Sequence, residues 1–135
     1  MERLTNLGRH LKPAETKKRE PTNDVWGSMD LDKYLRPEVV QKRQATRAMM
    51  QENSARINEH INSTEFPFWI IPKIRELGIN GATIKGFGSC NMSNLEFGSI
   101  AFELAKVDAS LATFWLAHNA LGAATINACG DETQK

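Results

Sequence analysis

The chain has 135 residues, 41% of them hydrophobic and 24% charged, and its net charge at pH 7 is +1. A chain of this length folds around one hydrophobic core, and this composition is typical of a globular protein rather than a disordered one. Because 17 basic residues face 16 acidic ones, the charge speaks against a nucleic-acid partner bound through its phosphates.

The first segment, RLTNLGRHL at residues 3–11, would be amphipathic as a helix. With 3.6 residues per turn, one helical face would carry Arg3, Leu4, Leu7, His10 and Leu11. Polar sequence containing proline follows as far as residue 30, which predicts a linker. We therefore predict a flexible N-terminal tail over residues 1–30, whose first part is either a packing face or an address that a receptor reads.

Two helices are predicted in the middle of the chain. Pro37 suits the first position of a helix that continues to residue 61. Its apolar stripe is thin, so the helix should pack at the surface of the core; the stripe contains Val40, Met50, Ile57 and Ile61. A second helix begins at Pro67 or Pro72 and ends at Gly78, and its inward face contains Ile70, Ile71, Ile74 and Leu77.

The remaining sequence predicts a loop and two further helices. Residues 78–92 are rich in glycine, lack helical periodicity and match no phosphate-binding motif. Ser93 and Glu96 have the spacing of a capping box, which begins a helix whose inward residues are Phe97, Ile100, Ala101 and Leu104. Asp108 caps a last helix over residues 109–129.

That last run carries no acidic or basic residue except His118, and it is long enough to cross a bilayer. Its many small and polar residues favour a buried central helix over a membrane span. Four helices and no clear strand predict an all-α domain over residues 31–135, with up-down helices around the central apolar helix.

The sequence shows no arrangement of catalytic side chains. His60 is predicted at an exposed helix end, and a lone histidine such as His118 on an apolar helix is most often hydrogen-bonded structure. Glu103 and Asp108 are interpreted as a surface residue and a helix cap rather than an acid–base pair.

The two cysteines, Cys90 and Cys129, lack the spacing of metal ligands. We expect reduced, buried or half-buried thiols and no metal site.

Two strings, EFPFWIIPKIRELGINGATIKGFG at residues 65–88 and AFELAKVDASLATFWLAHNALGAATINACGDETQK at residues 101–135, resemble the acyl-CoA dehydrogenase and oxidase superfamily. The specific features, in order, are EFP before a helix ending LG, then GATIKGFG, ELAKVDAS, NALG and CGDETQK. The resemblance covers about residues 31–135 and identifies them as the N-terminal helical domain of that fold. It is closest to the glutaryl-CoA dehydrogenase-like branch, which includes peroxisomal short-chain acyl-CoA oxidase.

The resemblance implies an FAD-dependent oxidoreductase of fatty-acid β-oxidation. In the family, the flavin takes a hydride from the β-carbon of an acyl-CoA while a carboxylate removes the α-proton, and the electrons pass to an electron-transfer flavoprotein or, in oxidases, to O₂. The flavin lies between a β-domain and a second helical domain, which the resemblance places outside residues 31–135. We therefore expect no catalytic residue and no bound FAD in this chain alone.

The alternative is a non-catalytic fragment that acts as a structural or interaction subunit. Such a module would dock on a larger flavoprotein or complex, or assemble with copies of itself.

The resemblance also implies binding residues. In the family the start of the last helix lines the acyl pocket, and that place is taken here by Ala112, Thr113, Phe114, Trp115, Leu116 and Ala117. Glutaryl-specific members carry an arginine where this chain has Ala112, so a dicarboxylyl substrate is disfavoured. The bulk of Phe114, Trp115 and Leu116 would shorten the pocket for short acyl chains; in the alternative interpretation, Phe114 and Trp115 are core aromatic residues.

Beside this resemblance, the opening RLTNLGRHL is similar to the second type of peroxisomal targeting signal, which is Arg-Leu, five residues and His-Leu. We expect the peroxisomal import receptor to recognise it. A mitochondrial presequence that leads to the matrix is the alternative, but Glu2, Glu15 and Glu20 speak against it because such peptides avoid acidic residues.

Overall fold

A computed structural model of the chain describes residues 25–135 except residues 62 and 64. Every regular element among these residues is helical, which confirms the predicted all-α class. The elements are α1 (Val25–Ser28), a 3-10 turn (Leu31–Tyr34), α2 (Pro37–Glu52), α3 (Ser54–Ile61), α4 (Ile70–Glu76), α5 (Asn94–Ala105), α6 (Ala109–Leu116), a π-helical turn (Ala117–Ala123) and α7 (Ala124–Cys129).

The chain divides into two units, Met1–Asp32 and Lys33–Lys135. In the first unit, the Trp26 indole Nε1 donates to Asp32 Oδ1 at 3.0 Å. The predicted address with Arg3 and His10 lies outside the described residues. Helices α2 to α7 belong to the second unit.

The predicted first helix begins at Pro37 as expected, but it is not one helix. It breaks at Asn53, whose backbone N–H and side-chain Nδ2 both donate to the carbonyl of Met49, the latter at 2.7 Å. An asparagine side chain that bonds the backbone competes with the helical ladder, which explains the break. Helices α2 and α3 are therefore separate elements.

The buried face of α2 differs from the predicted stripe. Met50 and Ile57 are buried as expected, whereas Val40 is only half-buried and Val39 takes its place in the core. The true face has helical spacing and contains Val39, Arg43, Thr46, Met49 and Met50. Two of these are polar, so a search for apolar periodicity does not find the face.

Helix α4 begins at Ile70, between the two prolines predicted to start it. The Pro67 carbonyl accepts the Ile70 N–H at 3.0 Å, and Pro72 lies in the first turn, where its missing N–H costs nothing. Ile70 and Ile74 are buried, but Ile71 is exposed, contrary to the prediction. Gly78, with φ of +59°, ends the helix as predicted.

The capping box that begins α5 is present in both directions. The Ser93 N–H donates to Glu96 Oε2 at 2.8 Å, and the Glu96 N–H donates to Ser93 Oγ at 3.3 Å. Ile100 and Leu104 are fully buried, while Phe97 and Ala101 pack at the edge of the core as partly buried residues. The prediction of this helix and its inward face is confirmed.

The predicted last helix is present as α6, the π-helical turn and α7. Asp108 caps it as predicted, because its Oδ1 accepts the Leu111 N–H at 2.6 Å. Burial is confined to its first part, since α7 has no buried residue and Leu121 and Ile126 are 71% and 50% exposed. This corrects the expectation of burial along the whole run. Among the described residues, no helix combines the length and apolarity needed to cross a bilayer.

Candidate pocket wall

The six predicted wall residues divide into three groups by their exposure. Thr113 and Phe114 are exposed, Leu116 and Ala117 are half-buried, and Ala112 and Trp115 are buried. The Trp115 ring packs on Phe97 with centroids 4.8 Å apart. Trp115 is therefore a core aromatic residue, whereas Phe114, at 37% exposed, displays its ring at the surface.

Phe114 lies beside an open groove of about 510 Å³. Its ring contacts that of Phe66 with centroids 4.8 Å apart, and Phe66 in turn contacts Phe68 at 5.1 Å. On the other side, the ring of His118 lies nearly parallel to Phe114, at 6.4 Å between centroids. The groove is lined by Ile57, His60, Ser63, Glu65, Phe66, Pro67, Asp108, Ser110, Leu111 and Phe114.

Three polar residues of this groove, His60, Ser63 and Asp108, bond to nearby parts of the chain. Ser63 Oγ donates to the His60 carbonyl at 3.0 Å and lies 3.3 Å from His60 Nδ1. Asp108 is occupied as the cap of α6. Because the serine proton is directed to a carbonyl, Ser63 and His60 are not arranged as a nucleophile and its base. The groove suits apolar packing more than acid–base chemistry.

The π-helical turn directly follows the predicted wall. Asn119 is buried in this turn, where its Nδ2 donates to the Trp115 carbonyl at 2.8 Å and its Oδ1 accepts the Ala82 N–H at 3.2 Å. The Ala124 N–H donates to the Asn119 carbonyl, five residues back. One buried amide thus connects the last helix with the glycine-rich loop.

A second groove, of about 390 Å³, lies between that loop and the last helix. Gly86, Phe87 and Gly88 all have positive φ, and Phe87 is 69% exposed. The groove is lined by Asn80, Gly81, Ile84, Phe87, Gly88, Ser89, Ala123, Ile126, Asn127, Gln134 and Lys135.

Arg36 and Glu96 fix the start of α2 to the start of α5. Arg36 Nε and Nη2 donate to the two carboxylate oxygens of Glu96 at 2.8 and 3.1 Å, and Nη2 also donates to the carbonyls of Cys90 and Asn91. These bonds lower the pKa of Glu96 to about 2, mainly through the Arg36 side chain. The hydrogen bond to Glu96 also raises the pKa of Arg36 above its ordinary value.

Glu103 is buried, and its prediction as a surface residue is wrong. Its Oε1 accepts from Arg43 Nη1 at 2.5 Å and from Arg47 Nη2 at 2.7 Å, and Lys106 Nζ lies 3.7 Å from Oε2. The signal that points to this cluster is the i, i+4 spacing of Arg43 and Arg47 on the helical face that contains Val39 and Met50.

The two cysteines have different surroundings. Cys90 is half-buried, and its thiol donates to the Gly78 carbonyl at 2.7 Å, whereas Cys129 is exposed, contrary to the prediction. Within the described ranges, no three side chains of the metal-binding types come together.

The sequence was compared with models of known protein families. The profile for the acyl-CoA dehydrogenase, N-terminal domain, matches residues 36–135. The matched range contains α2 to α7, both grooves and all six predicted wall residues.

Proposed function

The chain belongs to the acyl-CoA dehydrogenase family through its N-terminal domain, and on this basis we propose that it forms one wall of an acyl pocket. The reaction that this pocket would serve is the α,β-desaturation of a short-chain acyl-CoA in fatty-acid β-oxidation. The observation that carries the proposal is the exposure of Thr113 and Phe114 on a helix within the matched range, in the segment that the resemblance assigns to the acyl pocket.

The wall favours a short, uncharged acyl chain. Ala112 is small and buried, so it offers no cation to a distal carboxylate. Phe114 adds a large apolar ring beside Phe66, and Leu116 is half-buried against the core. An apolar wall of this kind stabilises a hydrocarbon chain by about 0.8 kcal/mol for each CH₂ group that it buries.

FAD is the cofactor of the family, and the second groove has one cation, Lys135, among its lining residues. The two grooves are open and largely apolar, and the loop beside the second groove uses N–H groups internally: Ile84 donates to Gly81 and Ser89 donates to Gly86. A diphosphate needs several N–H or cationic donors directed at one point.

The acyl-pocket proposal is tested by NMR titration of the 135-residue chain with butyryl-CoA, with CoA alone as the reference ligand. The expected result is a set of butyryl-specific shifts at Thr113, Phe114 and Ala117. Octanoyl-CoA should give weaker shifts at the same positions. Butyryl-specific shifts confined to residues outside the last helix, or none at millimolar ligand, would overturn the proposal.

A matched pair of variants tests the acyl preference. Thr113→Arg places a cation at the exposed wall position next to the buried Ala112 and should introduce glutaryl-CoA shifts at Phe114. Thr125→Arg places the same charge on exposed α7 and should not. Equal shifts in both variants would show that charge alone attracts the ligand.

We further propose that the protein is a peroxisomal oxidase, so that its electrons pass to O₂. Support comes from the sequence of residues 3–11, which has the form of a receptor-read signal. A fluorescent protein fused behind residues 1–20 should enter peroxisomes, and Arg3→Ala or His10→Ala should leave it in the cytosol. Mitochondrial fluorescence would favour the matrix instead.

A second candidate function is that of an interaction subunit, docked on a larger flavoprotein or on a second copy. It is favoured by exposed apolar side chains, because exposed apolar patches commonly mark interfaces: Phe87 and Ile126 line the same groove, and Leu121 is 71% exposed. Sedimentation of the purified chain distinguishes the forms. A concentration-dependent dimer that Leu121→Ser converts to monomer would support self-association, and a monomer at all concentrations would exclude it.

A further inference from the structure

We propose that Asn119 is a positioning residue of the acyl-pocket wall: its side chain imposes the π-helical turn and fixes the wall to the glycine-rich loop. The description of this segment as a pocket wall rests on the proposed function. The effects on the π turn and on the loop are argued from the two hydrogen bonds of the Asn119 side chain alone.

The first bond of the Asn119 side chain is made to a carbonyl of its own helix. In a regular α-helix, the Trp115 carbonyl would accept the backbone N–H of residue 119. Here the side-chain Nδ2 of Asn119 donates to that carbonyl at 2.8 Å, and the turn continues with the Ala124 N–H bonded to the carbonyl five residues back. A side chain that bonds a carbonyl of its own helix competes with the backbone N–H for that acceptor, which is a recognised cause of such distortions. The Trp115 carbonyl that accepts this amide lies two residues before Ala117, where the π turn begins, so the side chain bonds the ladder at the entry to the turn.

The second bond of the Asn119 side chain is made to the glycine-rich loop. Asn119 Oδ1 accepts the N–H of Ala82, a fully buried residue, and the Ala82 carbonyl accepts the Met92 N–H at 2.6 Å. Met92 directly precedes Ser93, the cap of α5. The amide of Asn119 is therefore the first link in a chain of bonds from the last helix, through the loop, to the start of α5.

The π turn changes the direction in which the side chains after it face. One residue added to a helical turn rotates all later side chains by about 100° relative to a regular helix. The buried residues Leu111, Ala112 and Trp115 precede the turn, and the exposed Leu121 and Ile126 follow Asn119. The π turn therefore lies where the helix changes from packing on the core to facing outward, and Ala117, its first residue, belongs to the predicted wall.

The test compares Asn119→Ala with Asn119→Ser in the 135-residue chain by NMR. Alanine removes both bonds. Serine keeps a hydroxyl that can donate to the carbonyl four residues back but is too short to reach Ala82. In both variants the Ala82 amide should exchange with solvent about tenfold faster or more, because a buried N–H loses its acceptor. The Ala124-to-Asn119 hydrogen-bond coupling should disappear in the alanine variant and persist in the serine variant.

A matched control separates this local role from a general loss of stability. Ser99→Ala also removes one buried hydrogen bond, that from Ser99 Oγ to the Glu96 carbonyl, but both partners of this bond lie in α5 and neither is a loop residue. The ratio of the Ala82 exchange rate to that of Leu104, a fully buried residue of α5, should rise in Asn119→Ala and stay unchanged in Ser99→Ala. A parallel rise in both rates, or a π turn that survives in Asn119→Ala, would overturn the proposal.

The ligand arm keeps the two proposals distinct. If butyryl-CoA shifts Thr113 and Ala117 in the unmodified chain, Asn119→Ala should reduce those shifts and Ser99→Ala should not. If the unmodified chain shows no such shifts, the acyl-pocket proposal fails, and the exchange ratio and the hydrogen-bond coupling still decide the role of Asn119.

Discussion

Removing the charge of Glu103 should destabilise this domain more than any surface substitution. Glu103 and Arg43 have almost no exposed side-chain surface, and their charged atoms are 2.5 Å apart. Glu103→Gln keeps the shape of the side chain but places the buried guanidinium opposite a neutral amide. Breaking a buried pair on one side costs about 3–5 kcal/mol, because the remaining charge is still desolvated.

The structure indicates the lower end of that range. Arg47 and Lys106 also face Glu103, but their side chains are 31% and 30% exposed, so water can compensate part of their loss. We expect a loss of about 3 kcal/mol in the free energy of unfolding. For a domain of this size, that corresponds to a fall in Tm of roughly 12–24 °C.

Urea unfolding followed by far-UV circular dichroism measures this loss, and Glu38→Gln is the matched control. Glu38 also pairs with an arginine, at 2.6 Å from Arg36, but both side chains are well exposed. Its replacement should cost at most about 1 kcal/mol. The double replacement Arg43→Met with Glu103→Leu should recover much of the stability that Glu103→Gln loses, because packed apolar residues can replace a buried pair.

The result that would refute this reasoning is specific. If Glu103→Gln and Glu38→Gln cost the same, burial does not determine the strength of the Glu103 pairs. An unchanged urea slope is needed for the comparison, because a changed slope signals a change in the unfolded or native ensemble.

Three further predictions concern stability. The pKa of Glu96 is held near 2 in the fold, below its ordinary value of 4.5, so its stabilising contribution is complete above pH 4.5 and is lost as the pH falls through 2. In Glu96→Gln, the free energy of unfolding should therefore depend less steeply on pH over this window. An unchanged slope of that free energy against pH would contradict the Arg36 contact as its cause. Asp108→Ala should cost about 1 kcal/mol and Asp108→Asn much less, measured by urea unfolding, because asparagine also caps helices; equal losses would contradict the capping role. Gly78→Ala should cost about 1 kcal/mol because Gly78 has a positive φ. Gly98 lies inside α5 with open space around it, so Gly98→Ala should stabilise the fold by about 0.5–1 kcal/mol. A change in the free energy of unfolding of the same sign in both variants would contradict the backbone argument.

The helical class was predictable from residues that act locally, and the family was predictable from the motifs in residues 65–88 and 101–135. Pro37, the Ser93–Glu96 box, Gly78 and Asp108 work through the turn in which they stand, so their effect can be deduced from a few neighbouring positions. The wall segment at residues 112–117 was located by resemblance, and its role stays a prediction. The structure adds that Thr113 and Phe114 are exposed and that Trp115 belongs to the core.

The contacts that depend on distant residues were not predictable. Glu103 and Arg43 are 60 positions apart, and each by itself has the character of a surface residue. The same holds for Asn119 and Ala82, which are 37 positions apart. A local pattern can mark one side of such a contact, as the i, i+4 spacing of Arg43 and Arg47 does, but it does not identify the partner, because burial of a charged or polar group is favourable only when its partner arrives from another element.

The sequence by itself determined the all-α class, the family and most helix ends, since these follow from local hydrogen bonding, backbone freedom and characteristic motifs. Only the tertiary structure decided which helical faces are buried, where the last helix turns outward and which polar groups meet inside. The opening address at residues 3–11 belongs to neither group, because a receptor rather than the fold would recognise it. The core is decided by packing, and packing joins residues that the sequence keeps far apart.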